Sequence, residues 1–94
     1  MTVTVFIPSV LRNECGGATS IDLEPGEAVS LTRVLDEVAA SYPRLDRRIR
    51  DERGRLRQFV NVFVNQEESR ALAGMDTAVP DGAEVRIIPS VAGG

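Results

Sequence analysis

The sequence predicts an α+β fold in which one main helix covers one face of a mixed sheet of four or five strands. Three observations lead to this class: a strand-like run with period two opens the chain, a helical apolar periodicity follows, and two more strand-like runs come after it. A single amphipathic helix can cover only one face of such a sheet, so we expect two layers around one core. The 94 residues, 43% of them hydrophobic, suffice for one domain.

The first two strands form a predicted hairpin. Residues 2–7 alternate and are rich in Val and Thr, which favours a strand, and Pro8 ends it because proline cannot donate to a strand ladder. We expect a loop up to Cys15, followed by Gly16-Gly17, which lets the backbone reverse. Residues 19–23 then form the second strand.

The main helix is predicted over residues 31–42. Ser30 is its N-cap candidate, and Arg33 and Glu37 can pair on the outer face. Pro43 should end the helix, because its ring disfavours helical backbone in the preceding residue. Apolar side chains recur at helical spacing: Leu31, Val34, Leu35, Val38, Ala39 and Tyr42.

Residues 44–57 stand out by their charge. They contain seven arginines and three acidic residues, although the whole chain carries a net charge of −3. We predict a short helical turn and a solvated loop, with a turn at Gly54. The alternative is a surface that attracts an acidic partner; net acidity and the lack of interleaved aromatic residues argue against nucleic acid.

The rest of the chain predicts further strands. Residues 59–64 form one strand, and residues 84–88 form the last, which Pro89 closes. Asn65-Gln66 and Asp81-Gly82 are turn candidates. The weakly patterned segment between Glu67 and Pro80 contains at most one very short strand.

The resulting order is β-β-α-β-(β)-β. We expect the first and last strands to lie side by side and parallel at the centre, which is the β-grasp or ubiquitin-like arrangement. Residues 1–89 then form the β-grasp domain, and residues 90–94 form a flexible C-terminal tail.

Missing residue types exclude most catalytic chemistry. The chain has no His, all 11 of its basic residues are Arg, and Cys15 is its one cysteine. Imidazole bases, Schiff-base lysines and multi-thiolate zinc sites are therefore excluded. We expect no catalytic residue, no metal and no bound cofactor, and a carrier rather than an enzyme. Without a long apolar run or signal peptide, we expect a cytoplasmic protein that is monomeric when free.

The last two residues are Gly93-Gly94, at the end of the short segment that follows the last predicted strand. A carboxylate is a poor electrophile and must be activated, for example as an acyl-adenylate, in a site that excludes water. A tail without bulky side chains can thread a narrow channel. The terminal carboxylate is therefore the group that we expect to react.

A set of short motifs runs nearly from end to end of the chain: Val3-Thr4-Val5, Ile7-Pro8, Leu11-Arg12, Gly16-Gly17, Ser41-Tyr42, Phe59-Val60-Asn61, Val64-Asn65, Ala78, Asp81-Gly82, Val85, Pro89 and Val91-Ala92-Gly93-Gly94. In these motifs the chain resembles the ubiquitin-like sulfur carriers of the ThiS/MoaD family, and within it the branch that serves cysteine biosynthesis. Ala83 departs from the pattern, since the family often has an acidic residue after the Asp-Gly turn.

The resemblance implies a reaction cycle at Gly94. A ubiquitin-activating-like enzyme of the MoeB/ThiF type would adenylate its carboxylate with ATP, and a sulfur donor would convert it to a thiocarboxylate. Val91, Ala92 and Gly93 would thread the partner's active site. The acceptor would be a cysteine synthase-like enzyme, a thiazole synthase or the large subunit of molybdopterin synthase. A covalent protein modifier and a non-covalent binding module with an idle tail remain alternatives.

Strand alternation also predicts a docking surface. If Val3, Val5 and Ile7 face the helix, then Phe6 faces outward, and the same reasoning places Phe63, Arg86 and Ile88 on the open face. Exposed aromatic patches often mark interfaces. We therefore expect these four residues to dock the activating enzyme; a register shift of one residue would instead bury Phe6, Phe63 and Ile88.

Overall fold

The computed structural model describes residues 2–27 and 29–89, and within them a five-stranded sheet lies against one main helix. The strands are β1 (Val3–Phe6), β2 (Ser20–Leu23), β3 (Val29–Ser30), β4 (Val60–Val64), β5 (Glu67–Glu68), β6 (Ala78–Val79) and β7 (Glu84–Pro89). The helices are α1 (Leu31–Ser41) and α2 (Pro43–Ile49). None of the helices in these two ranges is long and apolar enough to cross a membrane.

The sheet has the strand order β2-β1-β7-β4-β5. β1 and β2 form the predicted antiparallel hairpin, in which Val3 lies opposite Leu23. β1 runs parallel to β7 at the centre, and β4 is antiparallel to β7. This mixed sheet with parallel first and last strands is the β-grasp fold, so the predicted fold class is confirmed.

The core lies between α1 and the inner face of the sheet. Alternation holds along each long strand, so every second side chain points inward. The Ser30 hydroxyl accepts a hydrogen bond from the Arg33 amide at 3.3 Å, which confirms the N-cap. The side chains that meet in this layer are almost completely buried: Val3, Val5, Ile7, Leu31, Val34, Leu35, Val38, Val62, Val85 and Ile87.

Besides the main sheet, the described residues form a second small sheet, and a tight turn follows β4. β3 and β6 form a separate two-stranded sheet, with Val29 opposite Val79. The predicted turn at Asn65-Gln66 is present, and both residues have positive φ, 50° and 77°. Thus the segment that was expected to hold at most one very short strand contains both β5 and β6.

The prediction that the main helix ends at Pro43 is confirmed, but the short helical turn expected after it is a second helix. α1 does end before Tyr42, whose φ of −135° and ψ of 73° are not helical. However, Pro43 is the first residue of α2, where its missing N–H has no intrahelical partner to lose and its fixed φ suits the first turn. α2 buries Leu45 and Ile49, and so it is a packed element rather than a short helical turn.

The Arg-rich segment is also less solvated than expected. Arg50 is only 7% exposed, and its guanidinium donates to Asp46 at 2.7 Å and to Asp36 at 2.9 Å. Burial alone would lower the pKa of Arg50, but these two carboxylates raise it overall. The predicted turn at Gly54 is present, with φ of 79° and a hydrogen bond from its amide to the Asp51 carbonyl.

Residues 9–15 form a 3-10 helix, Ser9–Cys15, where a plain loop was expected. This helix packs Leu11 and Cys15 into the core, each 3% exposed. It ends at Gly16 with φ of 68°, a left-handed conformation that glycine adopts without steric cost. The chain reversal at Gly16-Gly17 was therefore predicted correctly, and the preceding segment was not.

Candidate docking site where the last strand ends

The last strand carries the chain to one end of the sheet in a fixed position. β7 is paired on both sides, with β1 as far as Arg86 and with β4 as far as Pro89, which lies opposite Val60. The ladder with β4 therefore holds the strand up to Pro89, the last residue before the tail. The predicted reactive residue Gly94 and the threading residues Val91, Ala92 and Gly93 lie outside the described residues.

The four predicted docking residues lie on the outer face of the sheet. Arg86 is in register with Phe6 on one side and with Phe63 on the other, so the three form one row across β1, β7 and β4. The Arg86 guanidinium carbon lies 4.2 Å from the centroid of the Phe6 ring, a cation–π contact. Ile88 follows two residues later on the same face. We call these four residues the sheet-face patch.

The sheet-face patch is open to solvent near the end of β7. Ile88 is 45% exposed, the Arg86 side chain is 47% exposed, and the two phenylalanines are half-buried. A shallow groove of about 430 Å³ begins at Phe6 and Ile88. The patch is small, apolar and rimmed by a cation, and this composition suits binding to another protein. Its role in docking stays a prediction.

Arg12 extends this groove, and the sequence analysis did not single it out as a docking residue. Its Nε donates to the Ile7 carbonyl at 3.0 Å, and this contact brings the side chain from the 3-10 helix to the end of β1. The sequence signal was weak, because an arginine in an expected loop has no predicted direction. The Leu11-Arg12 pair was noted only as part of the family resemblance.

A second groove, of about 380 Å³, lies on the opposite side of the end of β7. Ile88 faces the outer side, so Pro89 faces the other side, and Val10 and Phe59 lie beside it. Val10 is 66% exposed and Phe59 is 45% exposed. We call this the tail-side groove; its rim carries Arg48 and Arg57. Val10 lies in the 3-10 helix, where strand alternation does not apply, so its direction could not be predicted from the sequence.

The part of the chain that the structure describes has metal-ligating side chains and one thiol. Across residues 2–27 and 29–89, no three His, Cys, Asp or Glu side chains are grouped so that they could hold a metal ion. Cys15 is buried, and its Sγ lies 3.5 Å from the Arg12 carbonyl oxygen and 3.6 Å from that of Ala18. A buried thiol of this kind acts as a small apolar core residue.

The fold and these surfaces define a small β-grasp protein with exposed grooves on both sides of the end of its last strand. The model of the ThiS family matches residues 8–94, and the chain belongs to that family. The sulfur carrier protein CysO of Mycobacterium tuberculosis is 40% identical over 96 residues, which cover 100% of both chains. The general role of the chain is therefore that of a sulfur carrier protein, and its relatives are small carriers rather than catalysts.

Two further comparisons bear on partners. A chain in the crystal structure of the Amycolatopsis orientalis BexX/CysO complex matches with a TM-score of 0.84 and 37% identity, covering 98% of this chain and 99% of that one. Carriers of this kind thus associate with other proteins. Small archaeal modifier protein 3 of Haloferax volcanii is 36% identical over 81 residues, which cover 86% of this chain and 87% of the modifier.

Proposed function

We propose that this chain carries sulfur as a thiocarboxylate at Gly94 and delivers it to a biosynthetic enzyme. The observation that carries the proposal is the alignment with CysO, which covers all of both chains and so brings the Gly93-Gly94 pair to the end of that carrier. The chain itself would act as a protein co-substrate, and ATP would be bound and consumed by its activating partner.

The charging reaction has two balanced steps. First, the Gly94 carboxylate attacks the α-phosphorus of ATP, which forms the acyl-adenylate and releases pyrophosphate. A sulfur nucleophile then attacks the acyl carbon and displaces AMP, so that one carboxylate oxygen leaves with the phosphate. The sulfur donor supplies the electron pair of the new C–S bond, and no oxidation of the carbon occurs. Exclusion of water by the partner protects the adenylate from hydrolysis.

Delivery uses the nucleophilicity of the thiocarboxylate sulfur. The sulfur attacks an electrophile that the accepting enzyme holds, and hydrolysis of the acyl bond then returns the Gly94 carboxylate with an oxygen from water. Similarity to CysO favours an acceptor derived from an activated serine, with a cysteine synthase-like partner. A thiazole synthase or the large subunit of molybdopterin synthase remains an alternative acceptor.

The short reach of the tail explains why docking must occur next to β7. Five residues follow Pro89, up to and including Gly94. An extended chain spans at most about 3.6 Å per residue, or roughly 18 Å over these five. A partner active site must therefore come within this distance of the end of β7. The sheet-face patch lies there, which supports its proposed contact with the activating enzyme of the MoeB/ThiF type.

A second candidate function is covalent modification of other proteins through Gly94. The similarity to small archaeal modifier protein 3 favours it. The activated intermediate is the same, but the nucleophile would be a lysine amine of a target rather than sulfur. The two functions therefore differ in the acceptor and share the sheet-face patch.

Intact-mass measurement distinguishes these functions. The purified chain would be incubated with ATP, the activating enzyme of the same host and a sulfide source. A sulfur carrier gains the mass difference between sulfur and oxygen, whereas a modifier forms larger adducts when host proteins are added. A chain that lacks Gly94 is the control and should gain neither. If the full chain is unchanged, the proposal is wrong.

A further inference from the structure

The tail-side groove combines an apolar floor with a basic rim. Val10 and Phe59 form the exposed apolar part beside Pro89, and Arg48 and Arg57 border it. The Arg48 side chain is 59% exposed, and its ion pair with Glu14, at 3.8 Å, is long. A long contact at such exposure leaves the arginine available to a second carboxylate.

Two of the three carboxylates in residues 44–57 have partners within that segment, which contains seven arginines. Asp46 is paired with the buried Arg50. The Asp51 carboxylate accepts the backbone amides of Arg53 and Arg55, at 2.9 and 3.1 Å. The acidic side chains of this segment are thus largely engaged within it, while six arginines remain on the surface: Arg44, Arg47, Arg48, Arg53, Arg55 and Arg57.

This basic surface is separate from the sheet-face patch. Ile88 and Pro89 are neighbours on β7 and point to opposite sides of the sheet, so each of the two surfaces reaches the point where the tail leaves. A partner that surrounds the tail would meet both. The chain as a whole is acidic, with a net charge of −3, so the arginine surface is a local feature that a partner can distinguish.

We propose that the tail-side groove is a second docking site, which binds a partner segment that has an apolar side chain flanked by carboxylates. The apolar side chain packs on Val10 and Phe59, and the carboxylates face Arg48 and Arg57. Charge complementarity carries this choice of partner. The inference rests on the proposed function, because the partner is an enzyme that charges or discharges the tail.

The test compares two matched charge reversals. Arg48→Glu changes the groove, and Arg33→Glu changes α1, where the Arg33 side chain is 58% exposed and also has one carboxylate neighbour, Glu37, at 3.3 Å. Each substitution places a glutamate beside an existing glutamate. We expect Arg48→Glu to lower kcat/KM of charging or of sulfur transfer about tenfold at low salt, and less at high salt. Arg33→Glu should leave both reactions unchanged.

A second pair tests the apolar part of the groove. Val10→Ser should raise KM in the same reaction as Arg48→Glu, and Leu72→Ser, at an exposed apolar residue elsewhere, should not. Unchanged circular dichroism and Tm would show that these variants fold. If both groove variants match wild type in both reactions while the wild type is charged at Gly94, the groove proposal is wrong and the proposed function stands.

Two other outcomes would also overturn this inference. If the wild-type chain is not charged at all, the proposed function fails and the groove proposal fails with it. If Arg48→Glu instead abolishes a mobility shift with single-stranded DNA and leaves both reactions unchanged, the basic surface binds nucleic acid rather than an acidic protein segment.

Discussion

Replacement of Arg50 by methionine should destabilise the fold much more than replacement of any exposed arginine. Arg50 is 7% exposed and forms two charge-assisted hydrogen bonds, to Asp46 and Asp36. The Asp46 side chain is 19% exposed, so it would lose its partner in a largely desolvated position. Asp36 is 57% exposed and can return to water at little cost.

The expected loss follows from these exposures. A hydrogen bond to a charged group contributes about 1.5–3 kcal/mol when it is buried, whereas an exposed ion pair contributes at most about 1 kcal/mol. We therefore expect Arg50→Met to lower the free energy of unfolding by about 2–3 kcal/mol. For a domain of this size, each kcal/mol shifts Tm by about 4–8 °C, so a fall of roughly 10–20 °C should follow.

Urea denaturation followed by circular dichroism measures this effect. Arg33→Met is the matched control, because the pair of Arg33 with Glu37 is an exposed helical i, i+4 contact worth about 0.2–0.5 kcal/mol. A loss below about 1 kcal/mol for Arg50→Met would contradict the reasoning. It would mean that methionine packing compensates for the lost bonds.

Four further substitutions give distinct outcomes. Ile88→Asp, at the exposed end of the sheet-face patch, should raise KM for charging more than tenfold without unfolding the chain. Phe63→Asp should do the same. If circular dichroism instead shows that the Phe63→Asp chain is unfolded, Phe63 belongs to the core. Gln66 has φ of 77°, a left-handed conformation that is costly for a residue with a side chain. Gln66→Gly should therefore raise the free energy of unfolding by about 1 kcal/mol in urea titrations. A lower free energy of unfolding would contradict this prediction. Backbone hydrogen bonds, chiefly from Arg55, lower the pKa of Asp51. Asp51→Asn should therefore be less stable than wild type above pH 3.8, and this difference in stability should vanish as pH falls through the lowered pKa. A difference in stability that does not depend on pH would refute this prediction.

The sheet could be predicted because its signal is local. In β1, β4 and β7, side chains alternate between core and solvent, so residue type reports orientation directly. The same alternation predicted the outward direction of the sheet-face patch. The helical spacing of α1 is equally local, as is the hydroxyl of Ser30 at its N-cap.

The errors occurred where tertiary packing decides the local structure. The main helix ends before Pro43 as predicted, but Pro43 also begins α2, a seven-residue helix that depends on burial of Leu45 and Ile49 in the core. The 3-10 helix has no period long enough to detect in seven residues, and packing of Leu11 and Cys15 stabilises it. The tail-side groove was not predicted for the same reason, since the 3-10 helix, α2, β4 and β7 all contribute to it and are distant in sequence.

Under the proposed activation of Gly94, the exclusive use of arginine has a chemical consequence. An acyl-adenylate acylates amines, and a lysine beside the tail would compete with the intended sulfur nucleophile. An arginine guanidinium stays protonated at neutral pH and is not an effective nucleophile, because its pKa lies far above neutrality. None of the 11 basic residues is lysine. The basic rim at Arg48 and Arg57 can therefore attract a carboxylate next to the tail without consuming the activated Gly94.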